Sequence, residues 1–133
     1  MLVRTVVRPS QIEGLGIFAD EEIVEGQAVW QFTPGLDLIV ERRLLKGLSE
    51  AAYQQFIKYA YISKKTGEYI LCFDDARFFN HHGAPNISCK PSPQAIAEED
   101  VCIANRTIHR GEELTCNYRE FDAGPAEAFV EAA

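Results

Sequence analysis

The sequence predicts a mostly β domain with one short helical insertion. Three observations carry that expectation. Short runs rich in Val, Ile, Phe and Tyr recur along the chain, turns containing Gly, Pro or Asp separate them, and only the stretch from Glu41 to Tyr61 shows helical spacing. A doubly wound nucleotide-binding sheet needs strands alternating with helices throughout, so that architecture is excluded.

Leu2 to Arg8 is a β-rich run stopped by Pro9-Ser10. Gly14-Leu15-Gly16 then interrupts before Ile17-Phe18-Ala19, which predicts two short strands around a glycine turn. Glu25-Gly26 makes the next turn, Ala28 to Phe32 another strand, and Thr33-Pro34-Gly35 punctuates it. Within 41–61, Gly47 splits a short helical piece from a better one that begins near Ser49, a natural N-cap. There Tyr53, Phe56, Ile57, Ala60 and Tyr61 recur on one face, the spacing that core packing demands, so Tyr59 and Tyr61 are not expected at a site. Strand signals return at Tyr69 to Phe73, Phe78-Phe79, Val101 to Arg106 and Leu114 to Tyr118.

With 133 residues, 47% of them hydrophobic and 25% charged, the chain suits one globular domain and is too short for a catalytic domain plus a separate reader module. No apolar run approaches the roughly 20 residues needed to cross a bilayer, and Met1 to Thr5 lacks the apolar core of a secretory signal. A soluble, cytoplasmic protein with no membrane partner is expected. Cys72, Cys89, Cys102 and Cys116 form no C-x-x-C pair, so reduced thiols are expected rather than a zinc site or a disulfide framework. A net charge of −7 argues against nucleic acid as the main ligand and suits a basic protein partner, although an acidic balance also serves solubility alone.

Three segments concentrate the chemistry. In Ile12 to Ala19, two glycines flanking Leu15 let bare backbone approach a small polar ligand, although a plain turn has the same composition. In Arg77 to Asn86, an apolar run meets a polar cluster of two Asn, two His and a proline, which reads as a binding corner or as a turn closed by Asn side chains. His81 and His82 are adjacent on extended chain and point apart, which disfavours joint ligation of one metal ion. In Ile108 to Tyr118, a turn leads into a strand that ends in tyrosine.

Taken in order, these segments resemble the SET-domain family of lysine methyltransferases over residues 4–121. Gly14-Leu15-Gly16 is similar to the family's G-x-G. Arg77 to Asn86 is similar to R-F-x-N-H-S-C-x-P-N, and Glu112 to Tyr118, after Gly111, to G-E-E-L-T-x-D-Y. Arg106 and Ile108 precede the glutamates as they do in the family.

The resemblance implies a SET domain over 1–121 followed by a short tail, 122–133, with no separate domain. It implies a β-clip fold of small sheets with a pseudoknot, in which threading brings Asn80-His81 beside Tyr118. It further implies S-adenosylmethionine-dependent methyl transfer to a lysine of a protein acceptor, by a monomer or homodimer. Tyr118 is then catalytic, Gly14, Leu15, Gly16, Asn80, His81 and Phe121 hold the cofactor, and Tyr69 and Cys116 line the substrate channel. The alternative is a weak or inactive binding module that keeps the cofactor pocket.

The chain departs from the family pattern at three places. His82 and Gly83 stand where Ser and Cys are usual, and Asn117 stands where Asp is usual. In many relatives that Cys joins a C-terminal zinc cluster, so no metal and no zinc-bound lid are expected, which leaves Phe121 and Phe129 near the C-terminus, or a partner subunit, to close the channel. Asn117 keeps the shape of Asp and its hydrogen bonding without the charge. Cys116 stands two residues before the tyrosine, where relatives use Phe or Tyr to limit the number of methyl groups.

Overall fold

A computed structural model describes residues 1–124; the tail beyond, with Phe129, lies outside the described residues. Among the described residues, ten short strands, β1 to β10, and one helix, α1, follow in chain order. They are β1 Thr5–Pro9, β2 Leu15–Ala19, β3 Ala28–Trp30, β4 Leu38–Val40, α1 Glu50–Tyr59, β5 Tyr61–Ile62, β6 Tyr69–Leu71, β7 Asn80–His81, β8 Ile87–Lys90, β9 Val101–Ala104 and β10 Glu113–Cys116. Three 3-10 turns, Arg42–Gly47, Asp75–Phe78 and Tyr118–Glu120, complete the order. Among the described residues, no helix is long and apolar enough to cross a membrane.

The strands form three small sheets, β1-β2-β10-β7, β3-β9-β8 and β4-β6-β5. β1 and β2 make an antiparallel hairpin in register from Thr5 opposite Ala19 to Pro9 opposite Leu15. Gly14 closes its turn at φ +45°, where a side chain is disfavoured, and its carbonyl accepts from Ser10 N–H at 2.8 Å. β10 then lies between β2, to which it is antiparallel, and β7, to which it is parallel, with Thr115 opposite Asn80 and Cys116 opposite His81. Both long sequence motifs meet at that parallel pair.

Apolar side chains from all three regions fill one core. Ile17, Val29, Ile70, Ile87, Ile108 and Leu114 are fully buried. Asn86 stitches β10 from the side, donating from Nδ2 to Glu113 C=O at 2.8 Å and accepting Thr115 N–H at 2.9 Å. That explains a buried Asn: it supplies the hydrogen bonds a neighbouring strand would otherwise make.

The structure corrects several expectations. Cys89 and Cys102 face each other across β8 and β9 and form a disulfide, whereas reduced thiols were expected. The pairing depends on β-sheet register, which residue spacing does not reveal. Cys72 and Cys116 are free and buried.

The helix begins where expected, Ser49 Oγ accepting Ala52 N–H at 3.1 Å, yet none of its residues is buried. Its apolar face meets β6, with Phe56 edge-on to Tyr69 at 5.3 Å, while its last residues, Lys58 and Tyr59, line a cavity. The helix also stops at Tyr59, so Tyr61 belongs to β5. Phe78 ends a 3-10 turn instead of starting a strand. β10 likewise stops at Cys116, and Asn117 Oδ1 caps the next turn by accepting Arg119 N–H at 3.1 Å.

Candidate active site

The glycine loop, β7 and β10 are locked together by one side-chain amide. Asn80 Nδ2 donates to Glu13 C=O and Leu15 C=O, both at 3.2 Å, and to Glu113 Oε2 at 2.8 Å. Ser10 Oγ adds a bond to Glu113 Oε1 at 2.8 Å. Gly16 sits against this network: a Cβ there would lie 2.3 Å from Glu113 Oε2 and 3.0 Å from Asn80 Nδ2. A side chain at Gly16 would therefore displace Glu113. Leu15 and Gly14, by contrast, border open space, with Leu15 half exposed.

His81 is buried beside Asn80, and its Nδ1 accepts Tyr118 N–H at 3.0 Å. The two rings lie 5.2 Å apart. Burial, then the charges of Arg119 and His82, depress the His81 pKa, so the ring is neutral near pH 7 and carries its proton on Nε2. His82 turns the other way, where its Nδ1 accepts Ala84 N–H at 2.9 Å.

Tyr118 donates its hydroxyl to the Phe79 carbonyl. Burial, followed by Cys116, Glu13, Asp122 and Glu113, drives its pKa well above the ordinary phenol range. The oxygen is therefore a neutral acceptor whose proton is committed to backbone. The same carboxylates make the surrounding field negative, which suits a cationic occupant.

A cavity of about 90 Å³ opens beside Tyr118, with Tyr59, Tyr61, Cys116, Phe121 and Asp122 among its walls. Phe121 stands between Tyr61 and Tyr118, edge-on to both, at 5.0 and 5.9 Å. Trp30 is also on the wall, and its buried Nε1 has no acceptor among the described residues.

The structure thus brings Gly14, Leu15, Gly16, Asn80, His81 and Tyr118 into one connected region, and places Cys116 and Phe121 on the cavity wall. It separates Tyr69 from them. Neighbouring Ile70 is buried, so alternation along β6 turns Tyr69 to the opposite face, against Phe56 and Arg42.

Tyr61, placed on the core-facing stripe by helical spacing, and Tyr59, like it not expected at a site, both line the cavity. Their neighbours Lys58 and Ala60 line it as well, so no residue period marks the two tyrosines. Glu99 was also missed. It is buried and accepts Tyr61 Oη–H at 2.5 Å and Ser63 Oγ–H at 2.8 Å, yet nothing in its sequence separates it from Glu98 or Asp100.

Comparison with known proteins agrees with this architecture. The model of the SET domain family matches residues 14–119. The histone-lysine N-methyltransferase 2D proteins of Homo sapiens and Mus musculus are each 29% identical over 119 residues, covering 85% of this chain. The chain spans about 2% of the length of these curated relatives.

Among solved structures, a candidate histone methyltransferase of Plasmodium falciparum superposes with a TM-score of 0.61 at 16% identity, covering 89% of this chain and 95% of its own. A humanized mutant of Polycomb Repressive Complex 2 from Chaetomium thermophilum, bound to the inhibitor GSK126, gives 0.64 at 24% identity, covering 93% of this chain and 16% of its own. At these identities the likeness establishes the fold. Since the family model spans well over half of the sequence, the chain belongs to the SET domain family.

Proposed function

We propose that this chain transfers a methyl group from S-adenosylmethionine to the side-chain amine of a lysine in a protein acceptor. The observation that carries the reading is the position of Tyr118. It stands at the wall shared by the Asn80-His81 corner and the cavity, its backbone N–H held by His81 and its hydroxyl by Phe79 C=O.

The residues fit the cofactor. Gly14 borders open space and Leu15 is half exposed, Asn80 fixes the backbone around them through Glu13 C=O and Leu15 C=O, and Glu13 and Glu113 supply a field favourable to a cation. Gly14, Leu15, Gly16, Asn80 and His81 are the residues that would hold it. When bound, S-adenosylmethionine supplies an electrophilic methyl group on a positively charged sulfur.

The acceptor lysine must be neutral to attack. At pH 7 a free lysine of pKa near 10.4 pays roughly 4.6 kcal/mol for that, at about 1.36 kcal/mol per unit. The carboxylates Asp100 and Asp122 on the cavity wall attract the ammonium form, while burial among Tyr59, Tyr61 and Phe121 disfavours it once inside. Tyr118 and Tyr61 both have their hydroxyl protons committed elsewhere, to Phe79 C=O and Glu99, so neither acts as a proton donor to the amine. Tyr118 orients the amine through its oxygen; its raised pKa removes tyrosinate as the bulk base.

Labelled-methyl transfer to a protein mixture tests the proposal. The parent chain labels protein lysine, while Tyr118→Phe retains cofactor binding by equilibrium dialysis and loses at least about 100-fold in turnover. Cofactor binding without labelling of any protein would identify a binding module instead.

A further inference from the structure

Helix α1 ends against the cavity, and its last residues are part of the wall. Lys58, Tyr59, Ala60 and Tyr61 line it in succession, together with Cys116 and Tyr118. The chain's lysines are Lys46, Lys58, Lys64, Lys65 and Lys90. Lys58 is the one that shares this wall with Tyr118. Lys64 and Lys65 line a neighbouring hollow with Glu98, Glu99 and Glu120, where Lys65 pairs with Asp100 at 3.0 Å.

Lys58 is exposed, and its Nζ rests 5.4 Å from the centroid of the Tyr59 ring, a cation–π contact weak enough to exchange. As the basic residue of the last turn, Lys58 also complements the helix dipole. That role would be served by any exposed position in the turn and does not account for its place on the wall. A lysine tethered there meets the site at an effective concentration on the order of millimolar without recruitment of a partner.

We propose that Lys58 is a self-modification site, an acceptor for the chain's own methyl transfer. The proposal rests on the methyl-transfer reading above. In the step, neutral Lys58 Nζ forms a bond to the methyl carbon while the bond from that carbon to sulfur breaks. The bonding pair stays on sulfur, which leaves as the neutral thioether of S-adenosylhomocysteine, and the methylated ammonium releases a proton to solvent.

Incubating the purified chain with methyl-labelled S-adenosylmethionine, followed by peptide mass spectrometry, tests it. The expected result is label on Lys58 at least tenfold above Lys46 or Lys90, suppressed by excess S-adenosylhomocysteine and lost in Lys58→Arg. Label that persists under that excess is non-enzymic alkylation and overturns the proposal. So does label on an added protein with Lys58 unmodified, which leaves the methyl-transfer reading intact. No label on any protein removes both.

A cofactor-free readout is independent of turnover. A short lysine peptide in excess should slow acetylation of Lys58 by acetic anhydride relative to Lys46. Equal rates with and without the peptide would show that Lys58 does not share the acceptor's entrance.

Discussion

Substituting Gly16 by Ala tests the packing that joins the glycine loop to the two long motifs. Gly16 lies within β2, so Ala is acceptable there by backbone conformation, and the strand itself gains roughly 0.5–1 kcal/mol from losing a glycine. The new Cβ, however, would lie 2.3 Å from Glu113 Oε2, a contact that cannot persist. Glu113 must swing away and give up its bonds to Ser10 and Asn80.

Hydrogen bonds to a charged group contribute roughly 1.5–3 kcal/mol each, and the only partial burial of Glu113 argues for the lower end, about 3 kcal/mol for the two. The net loss is then about 2–2.5 kcal/mol, or roughly 6–12 °C in Tm for a chain of this length. Urea unfolding followed by circular dichroism measures it. In a Glu113→Ala background the obstruction is gone, and Gly16→Ala should cost below about 1 kcal/mol. An undiminished cost in that background, or a single variant within about 0.5 kcal/mol of the parent, would refute the reasoning.

Other outcomes follow from the same geometry. Asn80→Ala frees Glu13 C=O, Leu15 C=O and Glu113 together and should weaken S-adenosylmethionine binding at least about tenfold in equilibrium dialysis, with the helix signal unchanged. Reducing the Cys89–Cys102 bond, which closes a sequence separation of 13, should lower unfolding free energy by about 3 kcal/mol, and Cys89→Ala should make the urea midpoint insensitive to reductant.

His81 has a folded pKa below its unfolded value, so below about pH 6.5 the unfolded chain binds the proton first. Its contribution is complete above that pH and is lost as pH falls toward the folded pKa. Raised carboxyl pKa values at Glu120 and Asp122 act in the opposite sense at lower pH, so the comparison to make is the parent minus His81→Gln from pH 7.5 to 5.5. A flat difference curve would remove His81 from the pH response.

Sequence determined the features that are local or that motifs identify. Alternating apolar runs with Gly and Pro punctuation give the strands, and Ser49 starts the helix through its own hydroxyl. Asn80, His81 and Tyr118 were identifiable because their motifs are long. Strand register and the ends of elements were not determined locally. The Cys89–Cys102 pair depends on β8 aligning with β9, and the helix ends at Tyr59 because Tyr61 and Ile62 find a strand partner in β6. The cavity depends on the same long-range contacts. Tyr59, Tyr61, Trp30 and Glu99 become wall or support residues only when α1, β3 and the segment before β9 converge on Tyr118, whereas side-chain periodicity reports which face is apolar and not what lies opposite it.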